Sequence, residues 1–131
     1  VSAAKDTAKK TSGDGGRDIQ ERTFAFALNV INLCRQLDGN PGVGRILALQ
    51  LLRSGTSVGA NVEEAQAGQS RADFISKYSI ALKEIREARY WLRLMAESKV
   101  VHPSAIDPLI QEASELGRIL GAIVSRTKQR P

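Results

Sequence analysis

Residues 53–65 read Arg53-Ser54-Gly55-Thr56-Ser57-Val58-Gly59-Ala60-Asn61-Val62-Glu63-Glu64-Ala65, a run that is helical by its surroundings yet rich in residues that weaken a helix. Leu47, Leu51, Ser54, Val58, Asn61 and Ala65 alternate spacings of four and three, which sets them along one stripe of an amphipathic helix. Gly55 and Gly59 each cost a helix interior roughly 1 kcal/mol relative to Ala, so packing has to offset them. The simplest source is a second helix approaching closely over a surface without side chains, which makes Ser54, Gly55, Gly59 and Asn61 a helix-packing motif. A Gly-x-x-x-Gly pair marks dimerising helices only inside an apolar membrane span, and Arg53 with Glu63-Glu64 exclude one here. Ser54 is expected to bond a carbonyl one turn back, and Asn61 to bond a neighbouring helix or loop and fix register.

Working outward, helices are predicted at about 18–38, 41–67, 71–98 and 105–127, preceded by a flexible basic arm over residues 1–17. Asp18, with Glu21 three residues on, is a box-like N-cap for the first helix, and Asp38-Gly39-Asn40 stops it. This helix carries two apolar stripes. Phe24, Leu28 and Ile31 form one, read as facing the core; Phe26, Val30, Leu33 and Leu37 form another nearly opposite, read as an oligomer interface. A helix apolar around most of its circumference has to be covered on two sides. Asn40-Pro41 reads as the cap and first residue of the second helix, and Gly68 as its left-handed terminator. Ser70 and Asp73 form the capping box of the third helix.

In that third helix Phe74, Tyr78, Ala81, Ile85, Ala88, Leu92 and Met95 make an unbroken three-and-four seam. Arg71, Arg86, Arg89 and Arg93 flank it on one side, and Asp73, Glu84 and Glu87 on the other, with Lys77 the exception. Such segregation suits a head-to-tail contact between identical subunits. Either Ser104 or Asp107 caps the fourth helix, whose seam is Ile106, Leu109, Ala113, Leu116, Leu120 and Ile123. Four long helices joined by short connections predict an all-α, antiparallel up-down-up-down four-helix bundle in one domain, residues 18–130, assembling into a cyclic homo-oligomer.

The residue inventory argues against an enzyme. One cysteine, Cys34, excludes an intramolecular disulfide and suits a reducing, cytoplasmic setting. The single histidine, His102, sits in a turn without a partner acid, and no Glu-x-x-His, zinc spacing, phosphate-binding glycine loop or nucleophile elbow is present. No cofactor or metal is expected. Lys+Arg number 19 against 14 Asp+Glu, a net charge of +5, which favours an acidic partner and nucleic acid above all.

The runs Glu21-Arg22-Thr23-Phe24-Ala25, Val30-Ile31-Asn32-Leu33, Gln50 through Asn61, Ala72-Asp73-Phe74-Ile75-Ser76-Lys77 and Tyr90-Trp91-Leu92 resemble the four-helix-bundle proteins encoded in intervening sequences of bacterial large-subunit ribosomal RNA genes. The same superfamily includes the accessory protein of diversity-generating retroelements. That resemblance implies a homopentamer that binds nucleic acid and a reverse transcriptase or other nucleic-acid enzyme. Family members often carry an acidic stretch before Tyr-Trp-Leu, whereas Glu84-Ile85-Arg86-Glu87-Ala88-Arg89 is mixed. Two readings of function follow. One is a non-enzymatic, oligomeric RNA- or DNA-binding accessory protein with Lys83, Arg86, Arg89 and Arg93 as phosphate contacts; the other is a protein-interaction scaffold without a nucleic-acid role.

Overall fold

The computed structural model describes residues 15–37, 39 and 41–130, with side chains from residue 18 onward. Most of the basic arm, residues 1–14, and the Asp38 and Asn40 signals lie outside the described residues. Four helices make up the fold: α1 (Gly15–Leu37), α2 (Val43–Gln66), α3 (Arg71–Glu97) and α4 (Pro103–Gln129). Each helix packs on the next, and α1 also meets α4, which closes a four-helix bundle around one core. Tyr78, Ala81, Ile85, Ala88, Leu92 and Met95 of α3 are buried in it, as are Ile106, Leu109, Ala113, Leu116 and Leu120 of α4.

Several helix ends differ from the sequence expectation. Ser70 does cap α3, its hydroxyl accepting from the Asp73 N–H at 3.0 Å. By contrast α1 begins at Gly15, so Asp18 lies in its first turn, where a carboxylate still favours the positive end of the helix dipole. Gly42, at φ +125°, precedes α2. Gly68 does not adopt positive φ; among the described residues the non-glycine one that does is Lys99, after α3. Neither Ser104 nor Asp107 caps α4. His102 does, its ring nitrogen accepting from the Ser104 N–H at 3.1 Å, with Pro103 opening the helix. Pro103 needs no N–H partner at that position, and the helix runs on through Pro108.

The contact between α1 and α2 decides which residues enter the core. A Cβ on Gly55 would lie 3.0 Å from Val30 Cγ2, and one on Gly59 would lie 3.3 Å from the Thr23 carbonyl oxygen. The same face of α1 brings the Cys34 thiol to the Ala48 carbonyl at 3.4 Å and the Gln20 amide to Glu63 at 3.3 Å. As numbers rise along α1, their partners on α2 fall.

This register corrects the assignment of the two α1 stripes. Phe26, Val30, Leu33 and Leu37 are buried in the chain's own core, while Phe24 is 65% and Leu28 47% exposed. The stripes are equally apolar. What separates them is shape: Val30 and Thr23 fit the bare backbone at Gly55 and Gly59, and the rotation that seats them carries Phe26, Leu33 and Leu37 inward. Phe26, Val30, Leu33 and Leu37 are therefore unavailable to a neighbouring subunit.

Within α2, Ser54 is fully buried and its hydroxyl donates to the Gln50 carbonyl at 3.1 Å. Asn61 is half-buried and bonds inside its own helix, to the Ser57 carbonyl at 2.9 Å. Val62 takes the core place on that turn, so Asn61 sets no register between helices.

Replacing Gly59 by Leu is expected to force α1 and α2 apart. Overpacking costs roughly 1–3 kcal/mol, offset in part by the roughly 1 kcal/mol better helix propensity of Leu. Thermal denaturation should show a lower melting temperature for Gly59→Leu, and an unchanged value would mean that the close approach carries no stability.

Candidate nucleic-acid interface

Arginine side chains converge on one face of the bundle, between α3 and α4. Arg86, Arg89 and Arg93 recur at spacings of three and four, which holds them on one side of α3. Across from them, Gly117 sits beside Ile85 and Gly121 beside Leu82, and Arg89 Nε donates to the Ser114 hydroxyl at 2.8 Å. Ile85, Arg86, Arg89, Ala113, Ser114, Gly117, Arg118 and Gly121 line an open groove of about 440 Å³. Arg118 was not singled out from sequence, although it lies inside the Gly117–Gly121 turn that floors the groove. Arg93 extends the basic row of α3 toward its C-terminus. Lys83 does not line the groove, and on a helical wheel it falls on the outer side of α3.

The carboxylates are spent elsewhere. Arg53 of α2 pairs with Glu84 at 3.5 Å and with Glu87. Lys77 pairs with Glu64 at 2.7 Å. Arg22 of α1 reaches Glu112 at 2.6 Å and Glu115 at 3.1 Å on α4. The acidic flank of α3 is thus turned to α2 of the same chain, and the complementarity expected between subunits is met internally. Glu87 is held below the usual carboxylate range first by the Trp91 indole N–H at 2.9 Å and then by Arg53. Glu115 is lowered chiefly by Arg22, with Gln111 and, more weakly, Arg118 adding to the effect. Among the described residues, no carboxylate comes within ion-pair distance of Arg86, Arg89, Arg93 or Arg118. Arg71 instead ties down the end of α4, donating to the Thr127 carbonyl at 2.7 Å.

The outer surface of the α1–α2 pair has a different character. Phe24 and Leu28 of α1 and Val43, Ile46 and Leu49 of α2 are all exposed. Phe24 and Leu28 lie along the Gly55–Gly59 half of α2, and Val43, Ile46 and Leu49 along the Cys34–Leu37 end of α1. No group of three His, Cys, Asp or Glu side chains suited to a metal ion occurs among the described residues. None of the helices is long and apolar enough to cross a membrane.

The described residues thus define an all-α protein of four helices around one core, with a row of arginines along α3 and α4. The chain belongs to the 23S rRNA-intervening sequence protein family, whose model matches residues 17–122. In fold it is similar to a protein of unknown function from the S23 ribosomal protein family of Bacteroides thetaiotaomicron, with a TM-score of 0.76 and 35% identity, over 84% of this chain and 97% of that one. No curated protein is significantly similar.

Cys34, between α1 and α2, is buried, and desolvation pushes its thiol up to about 11 from 9.0. At neutral pH it should hold about a hundredfold fewer thiolates than an exposed cysteine, and the thiolate is the reactive form. Iodoacetamide is expected to label native Cys34 far more slowly than the unfolded chain. Equal rates would place the residue at the surface.

Proposed function

We propose that this protein is a non-enzymatic nucleic-acid-binding accessory protein that works as a closed homo-oligomer. We also infer that its helices run up, down, up and down, each antiparallel to the next. The observation that supports the binding reading is the row Arg86, Arg89, Arg93 and Arg118, which among the described residues has no carboxylate at ion-pair distance while acids of α2, α3 and α4 pair with Arg22, Arg53 and Lys77. A cationic row left unneutralised suits a polyanion. Arg86, Arg89 and Arg93 are its main phosphate contacts, with Lys83 on the neighbouring surface and the terminal basic residues assisting. The family's name, which refers to an intervening sequence of 23S rRNA, agrees with a nucleic-acid setting.

Assembly rests on the exposed apolar face of α1 and α2. Burying each large side chain is worth roughly 1.5–3 kcal/mol, so a second copy covering Phe24, Leu28, Ile46 and Leu49 would gain substantially. The same face favours the second reading, a protein-interaction scaffold, in which another protein covers it and the arginine face is merely solvated.

Salt separates the two readings. Each neutralised phosphate releases counterions, so log K for an RNA or DNA oligonucleotide should fall with log[salt] at a slope of roughly −0.7 to −0.9 per contact. Binding should survive removal of residues 1–14, and replacing Arg86, Arg89 and Arg93 together by Gln should reduce the slope. An absence of binding at low salt would overturn the nucleic-acid reading and leave the scaffold.

For assembly, the double variant Phe24→Asp, Leu49→Asp is expected to turn an oligomer into a folded monomer in light scattering. A wild-type mass of 14.2 kDa at micromolar concentration would contradict assembly.

A further inference from the structure

The bundle contains two glycine pairs spaced by four, and they meet different surroundings. At Gly55 and Gly59 a side chain would be crowded by Val30 and the Thr23 backbone, at 3.0 and 3.3 Å. At Gly117 and Gly121 it would not be: the nearest atoms to an added Cβ are Ile85 Cγ2 at 3.9 Å and Leu82 Cδ1 at 4.0 Å, ordinary contact distances. Glycine weakens the middle of a helix, yet packing between α3 and α4 does not demand it here. What the two glycines do is keep the floor of the arginine groove low, between Arg86 and Arg89 on one wall and Arg118 on the other.

The remaining lining narrows what such a groove can recognise. It contains no aromatic ring on which a base could stack and no amide side chain to read a base edge. The exposed ring nearby, Tyr90, packs edge-on against Trp91 at 5.2 Å and does not line the groove. The polar groups offered are guanidinium N–H donors and the Ser114 hydroxyl, which suit phosphate oxygens. A groove of about 440 Å³ is too small to enclose a duplex, so one backbone at a time can enter it.

Building on the nucleic-acid reading above, we propose that the α3–α4 groove is a seat for the phosphodiester backbone of a single strand. The strand lies over Gly117 and Gly121, with its phosphates between Arg86, Arg89 and Arg118 and its bases turned outward. Binding is consequently indifferent to base sequence, and the groove floor matters as much as the charge.

The test is anisotropy of a labelled single-stranded oligonucleotide on the full-length protein at low salt. Gly117→Leu fills the groove without altering charge and is expected to weaken binding about tenfold or more. Gly117→Ala reports, through an undiminished melting temperature, that the helix tolerates a side chain there. Arg118→Gln, which leaves the floor intact, should also weaken binding about tenfold, the loss of one charge-assisted contact. It decides the matter if Gly117→Leu does not fold. Adenine and uracil homopolymers should bind alike. A folded Gly117→Leu protein together with Arg118→Gln, both at wild-type affinity, would overturn the seat, and loss of binding on removing Arg86, Arg89 and Arg93 would then leave the broader reading standing. Displacement by inorganic phosphate at matched ionic strength would reassign the groove to a free anion. Equal binding of polyglutamate would reassign it to an acidic protein. A wild-type protein that binds no strand would defeat the nucleic-acid reading itself.

Discussion

The close approach of α1 to α2 is the constraint from which the other features of the bundle follow. Bare backbone at Gly55 and Gly59 accepts Val30 and the main chain at Thr23. Seating them sends Phe26, Leu33 and Leu37 inward and leaves Phe24 and Leu28 outside. Loss of two glycines' worth of helix propensity, roughly 2 kcal/mol, is offset by this burial. Ser54 beside them is tolerated because its hydroxyl returns to the Gln50 carbonyl, which leaves it with a partner in the core.

With α1 and α2 joined in this way, charge is divided among the faces. Arg53 projects from α2 onto the acidic flank of α3, and Arg22 from α1 onto Glu112 and Glu115 of α4. These pairs are half-exposed and add little stability individually. Their larger consequence is electrostatic: they occupy carboxylates of α2, α3 and α4, and among the described residues they leave Arg86, Arg89, Arg93 and Arg118 without one at ion-pair distance. The net charge of +5 arises in the terminal segments, +2 from residues 1–17 and +3 from residues 126–131, so the basic face is a local arrangement within a charge-balanced bundle. The groove with its low glycine floor lies on that face, and the exposed apolar residues lie on the α1–α2 side. A partner molecule and a second copy of the chain therefore need not compete for the same surface.

Much of the helical organisation was legible in the sequence, and the exceptions have physical causes. The α3 seam from Tyr78 to Met95 was readable because one stripe repeats without a rival. In α1 two stripes of equal hydrophobicity competed, and periodicity cannot rank them; the deciding quantity is the fit of Val30 to Gly55, which exists only across the pair. Helix starts were misplaced where two signals lay a few residues apart, as at His102-Pro103 and Asp107-Pro108, because either proline suits a first turn. Asn61 shared a stripe with Leu51 and Val58, yet the wheel carries it to the edge, where Ser57 satisfies it. On the basic face, the spacing of Arg86, Arg89 and Arg93 was evident from α3 alone. Arg118 and the groove floor were not. Their signal, Gly117-Arg118 followed by Gly121, was present in the sequence but acquires meaning only when α4 is laid against α3.

We propose that nucleic acid meets the protein at the α3–α4 arginines rather than at its basic residues generally. An NMR titration that follows the arginine Nε–Hε signals as a single-stranded oligonucleotide is added tests this directly. The expected result is that Arg86, Arg89 and Arg118 shift strongly, with Arg93 following, while Arg22 and Arg53, held by carboxylates, stay in place. Shifts confined to the terminal basic residues, or spread evenly over Arg22, Arg53 and the α3–α4 arginines, would contradict it.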